Sequence, residues 1–165
     1  FKTLQEKNIS FSCSIVGGEG DLSTSELEIE IDARGLNRVV QYKGKKYGAD
    51  KEEILQQSDI MVFPTYYDNE CLPLVLLEAM QHGLPVISTF EGGIPDLIED
   101  GVNGFLVKQK DATALAEKME ILIMDSEKRK QMGDAGRKNY EEEFTLDVFE
   151  NRMKNILETI LSEKK

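Results

Sequence analysis

Two carboxylates, Glu70 and Glu78, bracket a segment that reads as the start of a helix, with Pro73 in its first turn and an apolar run from Leu74 to Met80. A helix N-terminus carries unpaired N–H groups and the positive end of the helix dipole, so an anion such as a diphosphate would find a place beside Glu70. Glu78 lies about two turns further in, among Leu76, Leu77, Ala79 and Met80. A carboxylate in such company either reaches a cleft or finds a cationic partner. The paired hydroxyls of a sugar or ribose donate to carboxylates, which is a chemical use for both residues. On spacing alone the plainer readings stay open: Glu70 as a helix N-terminal carboxylate and Glu78 as an exposed helical residue.

Three further groups could serve a ligand. Gly17-Gly18-Glu19-Gly20 permits close backbone approach but matches neither G-x-G-x-x-G nor a Walker loop. Its structural reading is a tight strand-to-helix turn that needs positive φ. Glu91-Gly92-Gly93-Ile94-Pro95-Asp96 sets two glycines ahead of a short helix, for backbone contact with a ligand or merely for the turn. Lys43, Lys45 and Lys46 would hold a phosphate or form a solvated loop. His82, the single histidine, ends the helical segment and suits a capping role better than a catalytic one. With Cys13 and Cys71 alone there is neither a disulfide framework nor a zinc site, and a reducing, cytoplasmic setting fits best. The net charge of −11, from 31 acidic and 20 basic side chains, argues against a nucleic-acid partner.

Alternating short strands and helices must position these groups. Apolar, β-branched runs mark strands over Phe11 to Val16, Arg38 to Tyr42, Ile60 to Pro64, Pro85 to Thr89 and Gly104 to Val107. Ser23 followed by Glu26, and Asp50 followed by Glu53, are N-caps with a carboxylate one turn on, and Pro73 with Gly83 marks the ends of a third helix. The result is an α/β fold: a Rossmann-like, mostly parallel sheet with helices on both faces. In such sheets ligands bind outside the carboxyl ends of the strands, where Glu70 and the glycine turns fall.

After Val107, the stretches Asp111 to Met132 and Thr145 to Leu161 read as two helices with no strand between them. In the second, Leu146, Phe149, Met153, Ile156, Leu157, Ile160 and Leu161 form one apolar face about four turns long. The expectation is that it covers this domain's own core; the alternative is docking on a part of the parent chain outside these residues. Phe1 to Asn8 reads as the middle of a helix, so the sequence is expected to be an excised piece. Its 165 residues suit one domain, and no apolar run approaches the ~18 residues of a spanning helix.

The segment from Glu70 through Cys71, Leu72, Pro73, Leu74, Val75, Leu76 and Leu77 to Glu78, Ala79 and Met80 resembles the family 4 retaining glycosyltransferases of the GT-B fold. So do His82-Gly83-Leu84-Pro85-Val86-Ile87, Gly92-Gly93-Ile94-Pro95-Asp96 and Asp100-Gly101-Val102-Asn103-Gly104 after it, and Glu70 and Glu78 match the family's E-x7-E motif. The resemblance implies a hexosyltransferase that moves a sugar from a UDP- or GDP-type nucleotide-sugar to an acceptor, with retention at the anomeric carbon, in polysaccharide or glycolipid assembly. It implies no obligatory metal and no other cofactor. Residues 1–165 would be a single donor-binding domain with extra C-terminal helices, N-terminally truncated, the acceptor domain of the same chain lying outside them. The full-length protein would sit in the cytoplasm or, peripherally, at the inner face of the membrane.

Carried over residue by residue, Glu70 is the catalytic carboxylate facing the donor sugar and Glu78 holds the ribose hydroxyls. Backbone N–H groups of Cys71, Leu72, Leu74 and Val75 approach the phosphate and sugar, and the loop around Gly44, Lys45 and Lys46 lies near the base. The final helix is a candidate to cross to the other domain. Two departures stand out: Cys71 replaces a common glycine, and Pro73 has no N–H to donate. The family's diphosphate-binding Arg and Lys fall ahead of Phe1, so the chain alone is expected to be inactive and to bind nucleotide at millimolar affinity or weaker.

Two other functional classes compete. A dinucleotide-dependent oxidoreductase needs a G-x-G-x-x-G turn, which the Gly17 turn does not supply. A non-catalytic nucleotide-binding or interaction domain of the same fold remains the main alternative. A sugar-nucleotide epimerase would be expected to use further His and acidic residues, which this sequence does not show.

Overall fold

A computed structural model describes residues 1–163; the last two residues of the expected 1–165 domain lie outside the described residues. The chain divides into two compact units, residues 1–58 with 111–126 and residues 59–110 with 127–163.

The first unit holds α1 (Lys2–Glu6), β1 (Cys13–Ile15), α2 (Thr24–Ala33), β2 (Val40–Tyr42), α3 (Gly48–Gln56) and α6 (Ala112–Met124). β1 and β2 pair in parallel, Cys13 opposite Val40 and Ile15 opposite Tyr42. Ile31, Leu36 and Val40 form a buried cluster that Phe1, Phe11, Ile15 and Leu27 close over. The Phe1 and Phe11 rings stack at 5.6 Å. α1 packs on α6, with Leu4 fully buried and the Lys7 ammonium 2.5 Å from the Glu120 carboxylate.

α2 starts as its sequence requires. The Ser23 hydroxyl accepts the Glu26 N–H, and the Glu26 carboxylate accepts the Ser23 N–H at 2.8 Å. Bonds from the Ser23 hydroxyl and N–H hold the Glu26 carboxyl below its ordinary range. A carboxyl whose folded-state value is depressed contributes stability that is present above the ordinary range and lost as pH falls through the folded value. Stepwise acidification below the ordinary carboxylate range should therefore loosen the start of α2 as Glu26 protonates, seen as faster hydrogen exchange at the Glu26 amide. The other expected cap is not made. α3 begins earlier, at Gly48 after Tyr47, with no side-chain cap, because Gly48 takes a positive φ of 52° and turns the chain into the helix there. Asp50 falls inside the first turn, where it suits the dipole and meets Lys46 at 3.6 Å.

The second unit holds β3 (Met61–Phe63), α4 (Leu74–Gln81), β4 (Val86–Thr89), α5 (Ile94–Leu97), β5 (Gly104–Val107), α7 (Ser126–Glu143) and α8 (Leu146–Glu163). β3, β4 and β5 pair in parallel in that order, with Met61 opposite Val86 and Val86 opposite Gly104. All five expected strands form and every pairing is parallel, the ladders falling into a two-stranded and a three-stranded sheet. β4 and β5 are buried at every position, the pattern of parallel strands covered on both faces. Leu76, Met80, Ile87, Ile94 and Leu97 are the centre of this core. α7 lies so close to the turn after α4 that a Cβ at Gly133 would overlap the Gly83 carbonyl oxygen.

Asn103, 3% exposed, organises the turn into β5: its side-chain N–H donates to the Leu97 carbonyl at 2.9 Å and its oxygen accepts the Glu99 N–H at 2.8 Å. Asn103→Ala removes the partner of the Glu99 N–H and leaves the Leu97 carbonyl with the longer bond from the Asn139 side chain at 3.4 Å, and should cost about 1–3 kcal/mol in denaturant unfolding.

Two expectations about the C-terminal region are corrected. The helix expected over Asp111 to Met132 breaks at Asp125, which leaves the helical region at φ −115° and ψ 91°, and α7 then runs to Glu143. Three helices follow β5 rather than two. The apolar face of α8 does not cover this domain's core: Leu146, Phe149, Met153, Ile156, Leu157, Ile160 and Leu161 are all exposed, between 42% and 68%. Helical spacing specifies that such a face exists but not what lies against it. Among the described residues no helix is long and apolar enough to cross a membrane.

Candidate functional site

The connection from β3 to α4 carries Glu70, and three bonds from the β4 side hold it. The Ser88 hydroxyl donates to the Phe63 carbonyl at 2.7 Å, the Thr89 hydroxyl to the Thr65 carbonyl at 2.6 Å, and the Gly93 N–H to the Cys71 carbonyl at 2.7 Å. Ser88 and Thr89 are 0% and 1% exposed, so these bonds also satisfy hydroxyls that burial would otherwise penalise. Within the connection the Glu70 N–H donates to the Tyr67 carbonyl at 2.9 Å, and the Lys110 ammonium lies 4.8 Å from the Tyr66 ring centre. Sequence reasoning missed the two hydroxyls. The available signal was a Ser-Thr pair closing an otherwise apolar strand.

At the end of this connection Glu70 and Leu72 are half-buried and Cys71 is exposed. Pro73 occupies the N-cap of α4 with no side-chain bond, so the N–H groups of Leu74 and Val75, the first helical residues, have no capping side chain. The Leu76 N–H turns back to the Pro73 carbonyl at 3.0 Å. Glu78 is half-buried on α4. His82 has the capping role expected of it, its Nδ1 lying 2.8 Å from the Glu78 carbonyl. The second unit thus brings Glu70, Cys71, Leu72, Leu74, Val75 and Glu78 to one carboxyl-end loop and the helix it enters. Chemically, a helix start that no side chain caps suits an anion, and two carboxylates lie close to it along the chain.

The first unit brings together the other set. The Gly17 N–H donates to the Gly44 carbonyl at 3.1 Å, the Tyr42 hydroxyl donates to the Gly17 carbonyl at 2.9 Å, and the Lys45 side chain lies across Gly18. Gly17, Gly18 and Gly20 are absent from the positive-φ positions, which include Gly44 and Gly92. The tight turn with positive φ, one of the two readings open there, does not form, and the stretch is braced by the neighbouring loop. The Glu19 carboxylate faces the start of α2, where the Thr24 N–H donates to it at 3.0 Å and holds its carboxyl below the ordinary range. Lys43 meets Gln41 at 2.6 Å, while Lys46 is drawn to Asp50. The burial of Cys13 pushes its thiol up from the ordinary range.

Parallel sheets covered by helices, as in these units, are the architecture of GT-B glycosyltransferase C-terminal domains. The chain belongs to the glycosyl transferases group 1 family, which it matches over residues 1–139. It is 32% identical to the amylovoran biosynthesis glycosyltransferase AmsK of Erwinia amylovora, over 96% of this chain and 40% of that protein. It is 28% identical to the putative colanic acid biosynthesis glycosyltransferase WcaL of Escherichia coli K12, again over 96% of this chain and 40% of the relative. The chain therefore spans about two-fifths of the length of these curated relatives. Among solved structures it superposes on Anabaena Alr3699/HepE in complex with UDP-glucose with a TM-score of 0.79 and 26% identity, covering 90% of this chain and 41% of that one. The C-terminal domain of a glycosyl transferase group 1 family protein, LpcC of Francisella tularensis, has the same fold at a TM-score of 0.70 and 22% identity, with 88% and 92% covered.

Proposed function

We propose that this chain is the donor-binding half of a family 4 retaining glycosyltransferase, which transfers a sugar from a UDP- or GDP-type nucleotide-sugar to an acceptor in polysaccharide or glycolipid assembly. The observation that supports the reading is the start of α4, which no side chain caps, with half-buried Glu70 just before it in the chain and half-buried Glu78 along it. In the E-x7-E arrangement Glu70 orients the transferring sugar and stabilises charge that develops on it, and Glu78 accepts from the ribose hydroxyls. As the bond to the diphosphate breaks, negative charge grows on the leaving phosphate, which the helix N-terminus stabilises. The reading needs no metal at this place. The relatives' roles in amylovoran and colanic acid biosynthesis and the UDP-glucose bound by the Anabaena protein support the substrate class. An acceptor domain outside these residues and a cytoplasmic, membrane-adjacent location belong to the same reading.

The test is calorimetric titration of UDP, GDP and ADP into the full-length protein. One nucleotide should bind selectively, and Glu78→Ala should weaken it on the order of 10- to 100-fold, the loss of a charge-assisted hydrogen bond. No binding of any nucleotide would favour the interaction-domain reading instead.

A further inference from the structure

Gly92 and Gly93 follow β4 and precede α5, and two uses are open to them from sequence: contact with a ligand, or the turn itself. The structure shows a third neighbour. A Cβ at Gly92, where φ is 50°, would overlap the carbonyl oxygen of Glu70. Gly93 has φ −85° and ψ 10°, a conformation open to any residue, so its own backbone does not require glycine. A Cβ there would nevertheless lie 2.6 Å from the Cys71 carbonyl oxygen and 3.1 Å from Leu72 Cδ1. The Gly93 N–H donates to that same Cys71 carbonyl at 2.7 Å.

We infer that Gly92 and Gly93 are positioning residues for Glu70: their bare α-carbons form the surface on which the main chain of residues 70–72 rests. This inference rests on the assignment of Glu70 proposed above. Ser88 and Thr89 fix the near end of the loop through the Phe63 and Thr65 carbonyls, and the glycine pair fixes the far end through Cys71. Glu70 lies between these two anchors. Its carboxylate is therefore set by the distance from the 92–93 turn, and one added methyl lengthens that distance.

Gly93→Ala in the full-length protein isolates the effect, since it introduces the contact without backbone strain. With a nucleotide-sugar that supports turnover, kcat should fall on the order of 10- to 100-fold, the scale of a sub-ångström to ångström misplacement. The Kd for the free nucleotide, which on the same reading rests mainly on Glu78 and the Leu74 and Val75 amides beyond residues 70–72, should change far less than kcat. Gly101→Ala is the control for strain alone: φ there is 84° and no atom lies within 4 Å of an added Cβ, so melting temperature falls while kcat holds. Wild-type turnover in Gly93→Ala overturns the inference, as does parallel loss of turnover, affinity and melting temperature. If Gly93→Ala does not fold, Leu72→Ala decides, because it removes packing from Gly93 and adds nothing; it should lower kcat with affinity kept, and unchanged kcat overturns the inference. Glu70→Ala measured alongside separates the two readings. Full activity in that variant removes the Glu70 assignment and this inference with it, whereas an inactive Glu70→Ala beside a normal Gly93→Ala removes the positioning role alone.

Discussion

Glu70→Ala in the full-length protein is expected to reduce sugar transfer on the order of 1000-fold, the scale seen when a preorganised electrostatic group is removed from a reaction centre. The melting temperature should not move with it. Glu70 is half-buried on a connection between β3 and α4, and the bonds that shape that connection run through main-chain groups and the hydroxyls of β4. Nucleotide affinity should also persist, because the α4 amides and Glu78 remain. Transfer at wild-type rate would refute the assignment, whatever the nucleotide titration gives.

Gly133→Ala should have the largest effect on stability, and its sign is informative. By helix propensity alone, alanine in place of a glycine within α7 would stabilise by about 1 kcal/mol. The packing argues the opposite, since the new Cβ would overlap the Gly83 carbonyl oxygen and come within 3.5 Å of Pro85 Cδ. Both obstacles belong to the tight turn between α4 and β4, so α7 itself must withdraw from the core. Overpacking of that kind costs about 1–3 kcal/mol or more. Urea unfolding of the variant decides between the two, and a gain in stability would mean that α7 is less closely seated than its contacts state.

Much of this was legible from residue types because the elements concerned are specified locally. Each of the five β-branched, apolar runs read from the sequence is a strand, although only β4 and β5 are buried along their whole length. The Ser23–Glu26 capping box is a contact between residues one turn apart, so spacing alone contains it. The placement of Glu70 just before α4 and of Glu78 along it was legible because one helix start relates them. What was not legible depends on local backbone choices or on partners distant in sequence. Whether Asp50 caps α3 was decided by Gly48, whose left-handed φ starts the helix early. The break at Asp125 is hidden because no glycine or proline marks it and the polar run 125–131 is as compatible with an exposed helix as with a turn. The roles of Ser88, Thr89, Gly92 and Gly93 are contacts with a loop about twenty residues earlier, which no periodicity encodes. The apolar face of α8 was read correctly as a face and wrongly as a part of this core.

The three bonds that anchor the β3–α4 connection all end on its main-chain carbonyls, those of Phe63, Thr65 and Cys71. Shape and selectivity are thereby inherited separately. Mutation at the exposed positions Tyr66, Tyr67 and Cys71 can change what the loop presents to a ligand without disturbing the atoms that hold its course. If the proposed donor site is right, a lineage built on this scaffold could change donor by single substitutions there, each variant arriving already folded around the same carboxylate.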